Sequence, residues 1–100
     1  MASFLSIDLI TTDPNVRSGR PCLIGTAIEV TAIAIENIFN RHTPEELSAD
    51  YRVPLSHIYA ALAYYYEHKT ELDDLMRKND EIAEAYRAMQ LGSRRPPLSE

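Results

Sequence analysis

Tryptophan is absent from this 100-residue chain, cysteine occurs once and glycine three times. The lone Cys22 excludes an internal disulfide framework. With so few glycines there is no Gly-rich phosphate loop, no Walker pattern and no Gly-x-Ser-x-Gly elbow, so nucleotide and acyl-transfer chemistries lose their usual supports. Cations are scarce as well: 10 Lys plus Arg stand against 15 Asp plus Glu, a net charge of −5, which argues against a generic nucleic-acid coat protein and confines any phosphate contact to a local patch. No apolar run approaches the roughly 20 residues of a membrane span, and no signal-peptide pattern is present, so the expectation is a reduced, cytoplasmic protein. What remains is an ordinary globular composition, 45% hydrophobic and 25% charged, at the size of one domain. A core this small would gain from a second subunit, and a homodimer is expected.

Two textures divide the chain. Residues 1–29 are punctuated by Pro and Gly and read as a β segment: Ser6 to Thr12 alternates apolar and polar side chains up to the turn-prone Asp13-Pro14-Asn15, and Cys22-Leu23-Ile24 forms a second short run before Gly25. From Val30 the period becomes helical. Val30, Ile33, Ala34 and Ile38 mark a first helix to about Arg41. Thr43-Pro44-Glu45-Glu46 is a capping box with Pro at the first helical position, which starts a second helix at Pro44 that ends near Tyr51, because Val53 precedes Pro54. Leu55, Ile58, Tyr59, Leu62, Ala63 and Tyr66 predict the inward stripe of a third helix ending near His68. Residues 70–91 carry a narrow stripe through Leu72, Leu75, Ile82 and Tyr86 up to Gly92, and 93–100 read as a flexible tail. The expected organisation is therefore one domain over 1–92, with a three-helix core at 30–68.

Catalysis has little to stand on, and the chain reads as a non-enzyme without a cofactor or metal. His57 and His68 are eleven residues apart, about 16 Å along a helix, which is too far to share one ion. Cys22 lies in an apolar run and reads as a buried thiol. Asp73, Asp74, Asp80, Glu81 and Glu84 read as the solvated face of the last helix.

The architecture is more telling. Three helices, the last two joined by the tight Arg52-Val53-Pro54 connection, have the proportions of a mainly α, helix-turn-helix core, whose third helix would meet a major groove; a plain three-helix bundle has the same proportions. Outward positions near its start are Ser56, His57, Ala60 and Ala61, then Tyr64, with Arg52 and His57 as nearby donors and Arg41 at the end of the first helix. Tyr64, Tyr65 and Tyr66 point 100° apart in turn, so at least one must face a partner or solvent.

Four segments also occur in a familiar order: Ile10-Thr11-Thr12-Asp13-Pro14, Gly19-Arg20-Pro21-Cys22-Leu23-Ile24-Gly25-Thr26, Thr43-Pro44-Glu45-Glu46-Leu47 with Asp50-Tyr51, and Ala60-Ala61-Leu62-Ala63-Tyr64-Tyr65-Tyr66. Together they resemble the bacterial family known as domain of unknown function 433, over about residues 10 to 75. The resemblance implies a homeodomain-like or winged helix-turn-helix with a small N-terminal β segment, and an antitoxin-like role beside a toxin resembling PIN-domain ribonucleases. Where that family has Gly-Thr-Arg-Ile-Pro-Val, this chain has Gly25-Thr26-Ala27-Ile28-Glu29-Val30. An arginine is lost and a glutamate gained, leaving Arg17 and Arg20 as the neighbouring cations for DNA.

Two functions follow as expectations. In the first, an antitoxin-like protein dimerises, binds its operator DNA through Arg17, Arg20, Arg41, Arg52, Ser56 and His57, and masks a toxin with its C-terminal region. Arg94 and Arg95 would there pair with an acidic metal-binding cluster of the nuclease, while Tyr64, Tyr65, Leu75, Ile82 and Tyr86 supply apolar contacts. In the second, the helices form a protein-protein interaction module or homo-oligomeric scaffold that binds no DNA.

Overall fold

The computed structural model describes residues 2–3 and 5–93, with the side chains of 83, 86 and 89–93 left aside. Two strands precede four helices: β1 (Ile10–Thr11), β2 (Cys22–Leu23), α1 (Val30–Ile38), α2 (Pro44–Tyr51), α3 (Leu55–Glu67) and α4 (Lys69–Ser93). The protein is mainly helical, with a small antiparallel sheet at its start and a long helix at its end. Two compact units meet between Lys69 and Thr70, inside α4.

The sheet pairs Ile10 with Leu23 and Thr11 with Cys22. The alternating pattern of Ser6 to Thr12 predicts a longer first strand, yet only two residues pair. The reason lies in the partner: Gly25, at φ 71°, turns the chain away one residue after the last ladder bond, from Ile24 N–H to the Leu9 carbonyl. Thr26 closes that turn by donating its hydroxyl to the Leu23 carbonyl at 2.9 Å and accepting from Ile28 N–H at 3.0 Å. An Asx turn at Asp13, with Asn15 N–H on its carboxylate at 2.9 Å, ends β1.

α1 stops at Ile38, three residues short of the predicted Arg41. Asn side chains compete with the backbone there: Asn37 donates to the His42 carbonyl at 2.9 Å and Asn40 to the Glu36 carboxylate at 3.1 Å. Arg41, at φ 61°, then reverses the chain. The capping box forms as its spacing dictates, with Glu46 N–H on Thr43 Oγ1 at 3.1 Å and Thr43 N–H on Glu46 Oε1 at 2.7 Å. α2 closes through Arg52 in the left-handed region (φ 59°), where Val53 N–H reaches back to the Ser48 carbonyl and Ser48 Oγ donates to the Val53 carbonyl at 2.6 Å.

α3 packs on α1, α2 and both strands, and is the centre of the first unit. Its buried face is Ile58, Ala61, Leu62 and Tyr65, which meets Cys22 and Leu23 of β2, Val30, Ile33 and Ala34 of α1, and Leu47 of α2 in one core. Each fully buried aliphatic side chain contributes about 1.5–3 kcal/mol of transfer free energy. The predicted stripe is rotated: Leu55, Tyr59, Ala63 and Tyr66 are exposed, and Ala61, read as outward, is buried. Periodicity fits both faces, and packing against α1 and α2 selects the one that carries Ile58, Ala61, Leu62 and Tyr65.

α4 follows α3 after His68 alone and continues through Gly92, the predicted stop, to Ser93. Its exposed side chains are tied by local ion pairs, Arg77 to Asp74 and Glu81, and Arg87 to Glu84. Among the described residues no helix is long and apolar enough to cross a membrane. The tail read at 93–100 lies outside the described residues beyond Ser93.

Candidate functional site

The densest polar cluster lies on the loop before α1. Arg17, Ser18 and Gly19 adopt three successive positive φ angles (50°, 56° and 82°), a tight turn that swings both arginines toward Glu29. Glu29 Oε1 is 3.2 Å from Arg20 Nε and Glu29 Oε2 is 3.8 Å from Arg17 Nε. Arg17 Nε donates to the Ala27 carbonyl at 3.0 Å, and Thr31 Oγ1 donates to Glu29 Oε1 at 3.3 Å. Arg20 Nε is buried and the Glu29 carboxylate is its ion-pair partner, although the approach is not aligned as a hydrogen bond. Two of the cations expected to meet DNA, Arg17 and Arg20, are thus held by Glu29.

An open groove of about 270 Å³ runs beside this cluster, with Asp13, Arg20, Cys22 and Thr26 among its walls. The Cys22 thiol is buried and donates to the Arg20 carbonyl at 3.4 Å. Burial first, and then the Glu29 carboxylate, push its pKa up, against a smaller opposing pull from Arg17 and Arg20. Such a thiol is a poor nucleophile at neutral pH.

The remaining predicted DNA-binding residues fall in two other places. Arg52 is exposed on the turn between α2 and α3, followed by exposed Ser56 and half-buried His57, whose Nδ1 lies 3.4 Å from Ser56 Oγ. Arg41 is exposed in the loop after α1, next to His42, whose Nδ1 is 3.4 Å from Glu36 Oε1. Among the described residues no hydrogen bond or ion pair joins Arg41, the Arg52 turn and the Arg17–Arg20 loop. One groove connects two of these regions, since Arg17 shares it with Tyr51, the residue before Arg52.

The tyrosine triplet separates as its angular spacing requires. Tyr65 is core, at 2% exposure, which corrects its reading as a partner contact: it points at the same side as Ile58 and Leu62. Tyr64 is half-buried and stacks on His68 with ring centroids 4.1 Å apart. Tyr66 is 58% exposed, as are the unpredicted apolar surface residues Phe39 (68%) and Tyr59 (50%). On α4, Leu75 is half-buried and Ile82 is 67% exposed. The side chain of Tyr86, with Arg94 and Arg95, lies outside the described set. Among the described residues no three His, Cys, Asp or Glu side chains converge to hold a metal.

The model of a family described as protein of unknown function (DUF433) matches residues 10–65, from β1 to the buried Tyr65. The chain belongs to the DUF433 family. The DUF433 match takes in the Arg17–Arg20–Glu29 cluster, the α2–α3 turn and most of α3, and it ends before α4. No curated protein and no solved structure matches the chain.

Sequence reasoning missed the pairing role of Glu29 and counted Phe39 with the apolar stripe of the first helix, whereas it lies just past the end of α1 and is exposed. Glu29 carried a signal only as a change in charge, because its partners stand nine and twelve residues away.

Proposed function

We propose that this protein is an antitoxin-like interaction protein, which dimerises and neutralises a PIN-like toxin ribonuclease through apolar protein-protein contacts. The observation that carries this reading is the apolar surface left on a small, acidic chain: Phe39, Tyr59 and Tyr66 on the first unit and Ile82 on α4 are all at least half exposed. Aromatic residues are enriched at the centres of interfaces, and exposed rings of this kind are the contacts that a partner would cover. The charge distribution points the same way, because Arg17, Arg20, Arg77 and Arg87 are already held by carboxylates.

A second reading, operator binding, is favoured by the Arg52 turn, where an exposed cation and the exposed Ser56 lie together at the start of α3. Phosphate contacts from that end would position the helix without much base readout, since Ala60 and Ala63 offer no donors.

Copurification with the product of the adjacent reading frame tests the first reading, and light scattering of the purified protein tests dimerisation. A monomer that captures no neighbouring product would overturn it. Gel-shift titration against the DNA upstream of its own gene, at low and moderate salt, tests the second; no sequence preference at either salt would eliminate it.

A further inference from the structure

A separate groove of about 330 Å³ lies between the N-terminal segment and α3, away from the arginine cluster. Its floor is apolar and shallow: Ile10 on one side and Ala60 and Ala63 on the other. Tyr64 and His68 form a stacked pair in its wall. His68 Nδ1 lies 3.1 Å from the Tyr64 carbonyl, which can only accept, so Nδ1–H donates and the ring is held against the tyrosine. Two exposed carboxylates, Asp8 and Glu67, complete the lining, and among the described residues neither has a cationic partner.

The backbone adds a second feature. In the register Ile10↔Leu23 and Thr11↔Cys22, with Ile24 N–H on the Leu9 carbonyl, the residues bonding toward β2 are Leu9 and Thr11. Antiparallel strands alternate, so Asp8 and Ile10 turn their N–H and C=O groups to the opposite edge. Among the described residues that edge has no strand partner, and it leads back to residues 5–9, where Leu5 is 92% and Ile7 77% exposed. Unpaired edges are templates for an added strand.

We infer that this groove is the docking site for an extended, basic segment of a partner protein, added as a strand along β1 with an arginine or lysine directed at Asp8, Glu67 and the Tyr64–His68 stack. The inference rests on the partner-binding reading above and places one of its contacts. Charge complementarity selects the occupant. Arginine suits both features, since a guanidinium stacks on aromatic faces and forks onto a carboxylate. Phosphate is repelled by the two carboxylates. A second copy of this chain is the poorer fit, because residues 1–9 carry Asp8 and no Lys or Arg.

The test uses the full chain and three blocked heptapeptides: one alternating Val with Arg, one alternating Val with Glu, and the Arg peptide with its central Val replaced by Pro. Amide chemical shifts are followed by titration. The Arg peptide should shift residues 8–11 and 60–68, and bind at least about tenfold more tightly than either of the others, the effect of losing a charge-assisted or ladder hydrogen bond. The double variant Asp8→Lys with Glu67→Lys should lose that binding, whereas Glu84→Lys on α4 should keep it; circular dichroism confirms that both remain helical. Equal binding of the Arg and Glu peptides, or shifts confined elsewhere, would overturn the inference. So would concentration-dependent shifts at residues 8–11 without peptide, which would give the edge to a second copy. Failure of the partner-binding reading is distinct: it is loss of copurification by the unaltered chain, whereas capture that survives the double variant sinks the groove alone.

Discussion

Glu29 holds Arg20 at 3.2 Å and Arg17 at 3.8 Å, so one carboxylate engages both cations of the loop before α1. The Arg17 side chain is 55% exposed and that of Glu29 17%, which makes the Arg17 contact a screened surface pair and the Arg20 contact the more sheltered one. Neutralising Glu29 should therefore affect stability and polyanion affinity in opposite directions.

For Glu29→Gln, the expected stability loss is about 1 kcal/mol, since the amide oxygen still accepts but the charge is gone. Affinity for duplex DNA should rise severalfold, with a steeper dependence on salt as one or two phosphate contacts are added. Fluorescence anisotropy between about 50 and 200 mM salt checks this. An unchanged salt slope would mean that the two arginines do not reach phosphate even when released.

Arg52 sits at φ 59°, where a side chain costs free energy that glycine avoids. Arg52→Gly should raise stability by about 0.5–1 kcal/mol, read as a higher urea midpoint. If the operator reading holds, the same variant loses DNA affinity uniformly across sequences and its salt slope falls by about one. Stabilisation with unaltered DNA titrations would leave Arg52 a purely structural residue.

Tyr65 and Tyr66 are adjacent, and their substitutions should behave as though they belonged to different proteins. Tyr65→Ala removes a core ring and should cost about 3–5 kcal/mol. That is a large share of the roughly 5–15 kcal/mol holding a small domain together, so thermal melting should collapse. Tyr66→Ala should cost less than about 1 kcal/mol, most of it the edge contact at 5.1 Å to the Tyr65 ring, while weakening capture of a partner. Comparable melting temperatures for the two would contradict the packing of α3.

The raised pKa of Cys22 has a pH consequence. A thiol kept protonated by the fold binds its proton more tightly in the native state, so its contribution is complete below the unfolded pKa, about 8.5, and is lost as pH climbs through the folded value. Tyr51 adds to the same trend at higher pH, its phenol pushed up by burial and then by Glu36 and Asp50. The urea midpoint should fall as pH rises above about 8.5, and Cys22→Ala should flatten the earlier part of that fall. Thiol reagents at neutral pH should modify the native protein far more slowly than the unfolded chain.

Local chemistry made much of this fold legible. The Thr43–Glu46 capping box, the Pro44 start and the Tyr51 end of α2 all come from residues within a few positions of one another, and their spacing alone places them. The same holds for the start of α1 at Val30 and for the exposed Asp74, Asp80, Glu81 and Glu84 of α4, whereas Asp73, read with them, is half-buried. The site was less legible. Arg17 and Arg20 were visible as cations, but not that Glu29 already occupies them, and the groove beneath Tyr64 joins residues 8–10 to 60–68 across some fifty positions of chain.

By itself, then, the sequence determined where α1 and α2 begin, the capped ends of α2, the burial of Cys22 and the division of the tyrosine triplet among different directions. These rest on hydrogen bonds and side-chain angles within one or two turns, which no distant contact needs to complete. Only the tertiary structure decided which face of α3 is core, how little of the N-terminal segment pairs as strand, and whom Glu29 holds. A helical stripe has two defensible phases until other helices press on one of them; α1 and α2 pack on α3, the face with Ala61 is buried, and Leu55, Tyr59 and Tyr66 are left to the surface.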